Sequence, residues 1–208
     1  MSILTEDLPT TLLGVPIRTD YRVMVTVELL LRDPALPPAQ KIFQALNLLF
    51  PQPPAQGAEA AWESLLWYYR GGQPAPEPEK GAGQGAPARR VYDYEADAER
   101  IYAAFRQVYG VDLQAGPLHW WAFRAMLLSL PESCLMGQIM GVRAADTSRL
   151  KGPEKKRVQR LQRLFAIRGP QTEARADAAQ RDRQTRQQVL RRYEEAVQWK
   201  TRNDPGSR

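Results

Sequence analysis

Cysteine and histidine are almost missing from this 208-residue chain, each occurring once, as Cys134 and His119. A single cysteine excludes an internal disulfide and any zinc site built on several thiolates. A single histidine excludes metal sites that need several imidazoles, and leaves one candidate base for nucleophilic catalysis. No apolar run approaches the roughly 20 residues that a membrane-spanning helix takes. The first residues, MSILTEDLPT, lack the basic start and apolar core of a signal peptide. Phosphate-binding glycine loops are missing too: no G-x-x-x-x-G-K-S/T occurs, and GAGQGA lies in low-complexity sequence with no strand before it or helix after it. The expectation is a soluble, cytoplasmic chain in whose sequence no catalytic, cofactor or metal motif stands out.

What the chain does contain is proline, 17 residues of it, and a basic surplus of +6. The stretch 118–130, LHWWAFRAMLLSL, carries apolar residues on two faces, with His119, Arg124 and Ser129 scattered between them. A helix that is apolar all round is a buried one. Pro117 suits its first position and Pro131 ends it, so it reads as a central core helix.

Taken in order, TTLLGVPI (10–17) could make a small hairpin or an extended arm. In TDYRVMVTVELLLRD, a strand-like alternation competes with helical spacing at Val23, Val27, Leu30 and Leu31; its length and a cap at Thr19 or Asp20 favour helix. A second helix opens at Pro37-Pro38 with Ile42, Leu46, Leu49 and Phe50 on one face. A third carries Trp62, Leu65, Leu66 and Tyr69. The Gly/Pro-rich 71–90 cannot bury enough surface to offset its ordering entropy, and reads as a flexible linker or insertion. Beyond it, Asp93 can cap a helix faced by Tyr94, Ala98, Ile101, Phe105 and Val108, with Gly110 ending it. After Pro131, Leu135, Ile139 and Val142 share one side of a helix, with Met136 and Met140 beside it. Gly152-Pro153-Glu154 starts a basic helix whose buried side would be Val158, Leu161, Leu164 and Phe165. The fold class is therefore mainly α. A multi-helix domain is divided into an N-terminal helical half (1–70), the linker (71–90) and a helical core around the Trp-Trp helix (91–168), followed by a basic tail, helical or disordered (169–208).

Each residue that could carry chemistry has a plainer reading. His119 reads as a hydrogen-bonded histidine at the core edge, and Cys134 as a small buried thiol. Asp93, Glu95, Asp97 and Glu99 read as capping and solubility rather than a metal cluster. Met126, Met136 and Met140 are core filler or, in the sharper reading, part of an adaptable groove. The basic surplus is concentrated late: residues 151–200 hold 14 Lys or Arg against 6 Asp or Glu. KGPEKKRVQRLQRLF, with Lys155, Lys156, Arg157, Arg160 and Arg163, is a solvated helix or a basic surface for nucleic acid.

The segment YDYEADAERIYAAFRQVYGVDLQAGPLHWWAFRAMLLSLPE, followed by Gly-Val-Arg and a Lys-rich helix, resembles the bacteriophage "gene product fifteen" family, and VPIRTDYR resembles that family's first helix start. The likeness runs over about 8–167 apart from the linker; the tail after Gly169 is not part of it. The resemblance implies a non-enzymatic phage or prophage protein of tail morphogenesis in the cytoplasm of the bacterial host, similar to tail assembly chaperones in gene position. Its implied partner is the tape-measure protein, with the tail tube protein or a second copy of the chain as further candidates. The candidate partner surface is Trp120, Trp121, Met136, Ile139 and Met140. The alternatives are a structural minor tail component and, third, a nucleic-acid binder using the basic C-terminus.

Overall fold

Leu13 and Gly14 adopt φ of 51° and 75°, the two positive dihedrals of a type I′ hairpin turn. They join β1 (Thr11–Leu12) to β2 (Val15–Pro16) in antiparallel register, Thr11 opposite Pro16 and Leu12 opposite Val15, so the hairpin wins over the extended arm. The computed structural model describes residues 3–75 and 90–167; the linker positions 76–89 and the tail from 169 lie outside the described residues. Among the described residues seven helices follow: α1 (Tyr21–Arg32), α2 (Pro38–Leu49), α3 (Gly57–Tyr69), α4 (Ala98–Tyr109), α5 (Trp120–Leu128), α6 (Leu135–Ala144) and α7 (Gly152–Leu164). The protein is mainly α, and the described residues up to 166 belong to one compact unit. No described helix is long and apolar enough to cross a membrane.

Asp20 settles the contest in the first segment. Its extended backbone and its carboxylate, which accepts from the Arg22 N–H at 2.8 Å, start α1. The helix ends are held from other parts of the chain: the Lys41 ammonium donates to Leu31 O at 2.9 Å at the end of α1, and Arg18 donates to the Asn47 and Leu48 carbonyls at the end of α2. These cations satisfy carbonyls that have no partner within their helices.

The Trp-Trp helix is central, as its sequence suggests, but shorter than 118–130. His119 is the N-cap of α5, so Pro117 lies outside the helix. The helix is also not buried all round: Ala125 and Leu128 are exposed, because α5 packs on α1 and α4 and one flank is left open. Its buried side is aromatic. Phe123 stacks on Tyr21 at 4.3 Å and on Phe105 at 5.0 Å between centroids, joining α1 and α4 through one ring. Trp120 and Trp121 donate their indole N–H groups to Tyr69 O at 3.1 Å and Tyr68 O at 2.8 Å. Two tryptophans thus cap the last turn of α3 while burying large apolar bodies, the combination that suits indole to a core edge.

That close fit sets the next residues. Gly71 and Gly72, placed by the sequence reading in the linker, fold back over α5 with φ of 72° and 80°. A Cβ on Gly72 would sit 2.7 Å from the Trp121 ring. The acidic segment beyond the linker also differs from expectation. α4 begins at Ala98 with Asp97 as the preceding residue, and Asp93 closes a turn instead, accepting from the Glu95 and Ala96 N–H groups. Tyr94 and Asp93 are buried before the helix starts, while Ala98 is exposed.

Candidate functional site

α4 and α6 lie side by side, and one buried ion pair fixes how they meet. The Arg143 guanidinium, on the inner face of α6, forms a two-pronged bond with the Asp97 carboxylate at 2.5 and 3.1 Å. Its remaining donors reach Val91 O at 3.1 Å and Phe165 O at 2.7 Å. One side chain therefore ties α6 to the start of α4, to the residues leaving the linker and to the end of α7. Burial alone would push the Asp97 carboxyl up, but Arg143, the Asp93 N–H and Arg100 together hold it below the usual carboxylate value. The acidic run is thereby split: Asp93 and Asp97 turn inward as ion-pair partners, and Glu95 and Glu99 face outward. Among the described residues no three His, Cys, Asp or Glu side chains are placed to hold a metal ion.

Close packing at the start of α6 creates a hollow outside this ion pair. Cys134 is the N-cap, its Sγ accepting from the Gly137 N–H at 3.4 Å and donating to Pro131 O at 3.2 Å. Gly137 then passes so near the chain that a Cβ would stand 2.1 Å from Pro131 O. This rotation turns Leu135 outward, 56% exposed, over a groove of about 160 Å³ floored by Ala104 and Met136 and edged by Ala103 and Gln107 of α4. Glu99 and Arg100 stand at its rim. Tyr102 is exposed on the same helix, its hydroxyl donating to Asp112 at 3.2 Å. The hollow is therefore apolar at its floor and charged at its rim, with space on the scale of one side chain.

The residues singled out from sequence fall in different places. Trp120, Trp121, Met136 and Ile139 are all buried, at 1–4% exposure, so they form core and not an accessible surface; only Met140 is half-buried. The correction is one of phase. The buried side of α6 is Met136, Gly137, Ile139 and Arg143, about one residue round from Leu135, Ile139 and Val142. Leu135, the most accessible apolar residue at the groove, therefore belongs to the surface. An arginine and a glycine on the inner face concealed that phase, and the pair Gly137 and Arg143 was the available signal. On α7, Lys156, Arg157, Arg160 and Arg163 are exposed and Lys155 half-buried. Leu164 is 70% exposed, not buried as its spacing suggested, while Val158, Leu161 and Phe165 are half-buried.

His119 is structural in every bond it makes. Nδ1 accepts from the Trp121 N–H at 3.0 Å, which places the proton of the neutral ring on Nε2, facing Pro9 O at 3.1 Å. The Tyr68 hydroxyl lies 3.3 Å from the same nitrogen. Burial pulls the imidazole below its ordinary pKa, against the opposing effect of the Pro9 carbonyl. Both nitrogens are thus occupied in joining the N-terminal arm, α3 and the start of α5.

No curated protein and no solved structure matches the chain. A family model described as bacteriophage Gp15 protein matches residues 5–167, from before the hairpin to just past α7. That span includes the Asp97–Arg143 pair, the capped Trp-Trp helix and the groove, and so the chain belongs to the bacteriophage Gp15 protein family.

Proposed function

We propose that this phage protein is a non-enzymatic tail assembly chaperone, which covers apolar helix faces of the tape-measure protein before the tail tube closes around it. The observation that supports this reading is the groove between α4 and α6, with Leu135 exposed beside Met136 and Ala104. A long helical partner rich in apolar faces aggregates while those faces are open to water. A small folded protein that lends a hollow and one protruding leucine can shield such a face and release it later, because an interface of that size binds modestly. The reading needs no cofactor and no catalytic residue.

Co-expression with the tape-measure protein of the same phage tests it. The expected result is that the partner becomes soluble and co-purifies only when this chain is present, and that the chain is missing from finished particles. A partner that stays insoluble, together with the chain's presence in mature virions, would instead make it a structural minor tail component.

A further inference from the structure

Among the described residues α7 is held by one side only. Val158, Leu161, Gln162 and Phe165 face the fold; the Gln162 amide donates to Val142 O at 3.0 Å and Ala145 O at 2.8 Å, and Phe165 O accepts from Arg143. With the rotation fixed in this way, Lys156, Arg160 and Arg163 line up on the opposite side at spacings of four and three, with Arg157 beside them. All four are exposed, and none has an ion-pair partner among the described residues. The first three span roughly 10 Å along the axis at about 1.5 Å per residue. Like charges one turn apart destabilise a helix, so the stripe is a cost that an anionic ligand would relieve.

The whole sequence is polarised in the same sense. Residues 1–150 carry 13 Lys or Arg against 16 Asp or Glu, whereas residues 151–208 carry 16 against 7. We propose that the exposed face of α7 binds the phosphate backbone of nucleic acid, through charge and without reading base sequence. An acidic protein fits less well, because protein interfaces centre on buried apolar or aromatic anchors, and the only large apolar residue on this side of α7 is Leu164. A membrane surface fits less well too, because a helix that lies in the interface inserts an apolar face, and the apolar side of α7 is turned to the fold.

The test uses the full chain and a fluorescein-labelled mixed-sequence 20-base-pair DNA, followed by anisotropy from 50 to 200 mM salt. The triple variant Lys156→Gln, Arg160→Gln and Arg163→Gln should keep the wild-type melting temperature, since all three side chains are exposed. Its affinity should drop at least tenfold at low salt, and its log K against log salt slope should be shallower by about 2.7, three contacts at about 0.9 each. The single variant Arg160→Gln should show about a third of that change. A control with the same charge loss, Arg181→Gln, Arg183→Gln and Arg186→Gln, should lose less. No binding by the wild type at 50 mM salt overturns the proposal. So does an equal loss in the control, or tighter binding to polyglutamate or to phosphatidylserine vesicles than to the DNA.

Discussion

Arg143 shows how a charged residue can belong to a core. Its guanidinium has two carboxylate oxygens and two carbonyls as partners, so burial leaves little unsatisfied. Arg143→Leu strands Asp97 without its main counter-charge and should cost about 3–5 kcal/mol, read as a lower midpoint in urea unfolding. Replacing Asp97 by leucine as well should recover part of that loss; no recovery would show that the pair stabilises more than it costs to desolvate. Because the folded Asp97 carboxyl is held below its ordinary value, its contribution is present above about pH 4 and is lost as pH falls through the folded pKa. His119 acts in a higher window. Its folded pKa is lowered, so the unfolded chain takes up the proton first, and stability should decline as pH drops below about 6.5. His119→Asn, which keeps an N-cap acceptor, should flatten that part of a melting-temperature profile between pH 7 and 5; an unchanged slope would place the effect elsewhere. Tyr94 is the contrary case. Its buried hydroxyl meets no partner in good hydrogen-bond geometry among the described residues, so Tyr94→Phe should be neutral or stabilising by about 1–2 kcal/mol, and a clear loss in thermal melts would reveal a bond through water or to the neighbouring Tyr92. None of these partnerships could be read from sequence, where Asp97 and Arg143 are separated by 46 positions; only the plain character of His119, the lone imidazole beside two tryptophans, could.

At the scale of elements, sequence periodicity located the helices better than it oriented them. The α4 stripe of Ile101 and Phe105 and the left-handed Gly110 that ends it are as the spacing suggests. In α3, however, Ala61, Leu65 and Tyr68 are buried rather than Trp62, Leu66 and Tyr69, and in α1 Tyr21, Met24, Val27 and Glu28 rather than Val23, Leu30 and Leu31. The common cause is that small or polar residues lie at the closest approaches: Ala45, Ala61 and Ala104 let helices come together, and Glu28 is buried because Arg32 and the Tyr69 hydroxyl bind it. Counting large apolar residues alone turns the stripe toward the flanks. Glycine gives a direct check in α6. Gly137→Ala would drive its Cβ against the Pro131 carbonyl and should cost about 1–3 kcal/mol or more. Gly141→Ala, whose Cβ would meet only Glu132 at an ordinary 3.6 Å, should gain roughly 0.5–1 kcal/mol from helix propensity. Opposite signs in chemical denaturation would support the close approach; two stabilising substitutions would refute it.

Over the whole molecule, α5 packs on both α1 and α4, with Phe123 at the junction and the two indoles capping α3. The mainly helical class and the central place of the Trp-Trp segment were legible because aromatic density and proline punctuation are local properties. The groove was not, because it results from the rotation of α6, which a backbone approach at Gly137 and a distant carboxylate determine together. Because Trp120, Trp121, Met136 and Ile139 are buried, the partner surface proposed above lies instead at the α4–α6 groove beside the exposed Leu135. The most direct measurement is co-purification of the tape-measure protein with two variants of equal charge change, Leu135→Glu at the groove and Phe43→Glu on the exposed side of α2. The chaperone reading predicts that both variants fold, that Leu135→Glu loses the soluble complex by at least tenfold, and that Phe43→Glu retains it. Retention by Leu135→Glu, or loss by Phe43→Glu alone, would contradict the assignment of the α4–α6 groove as the partner site.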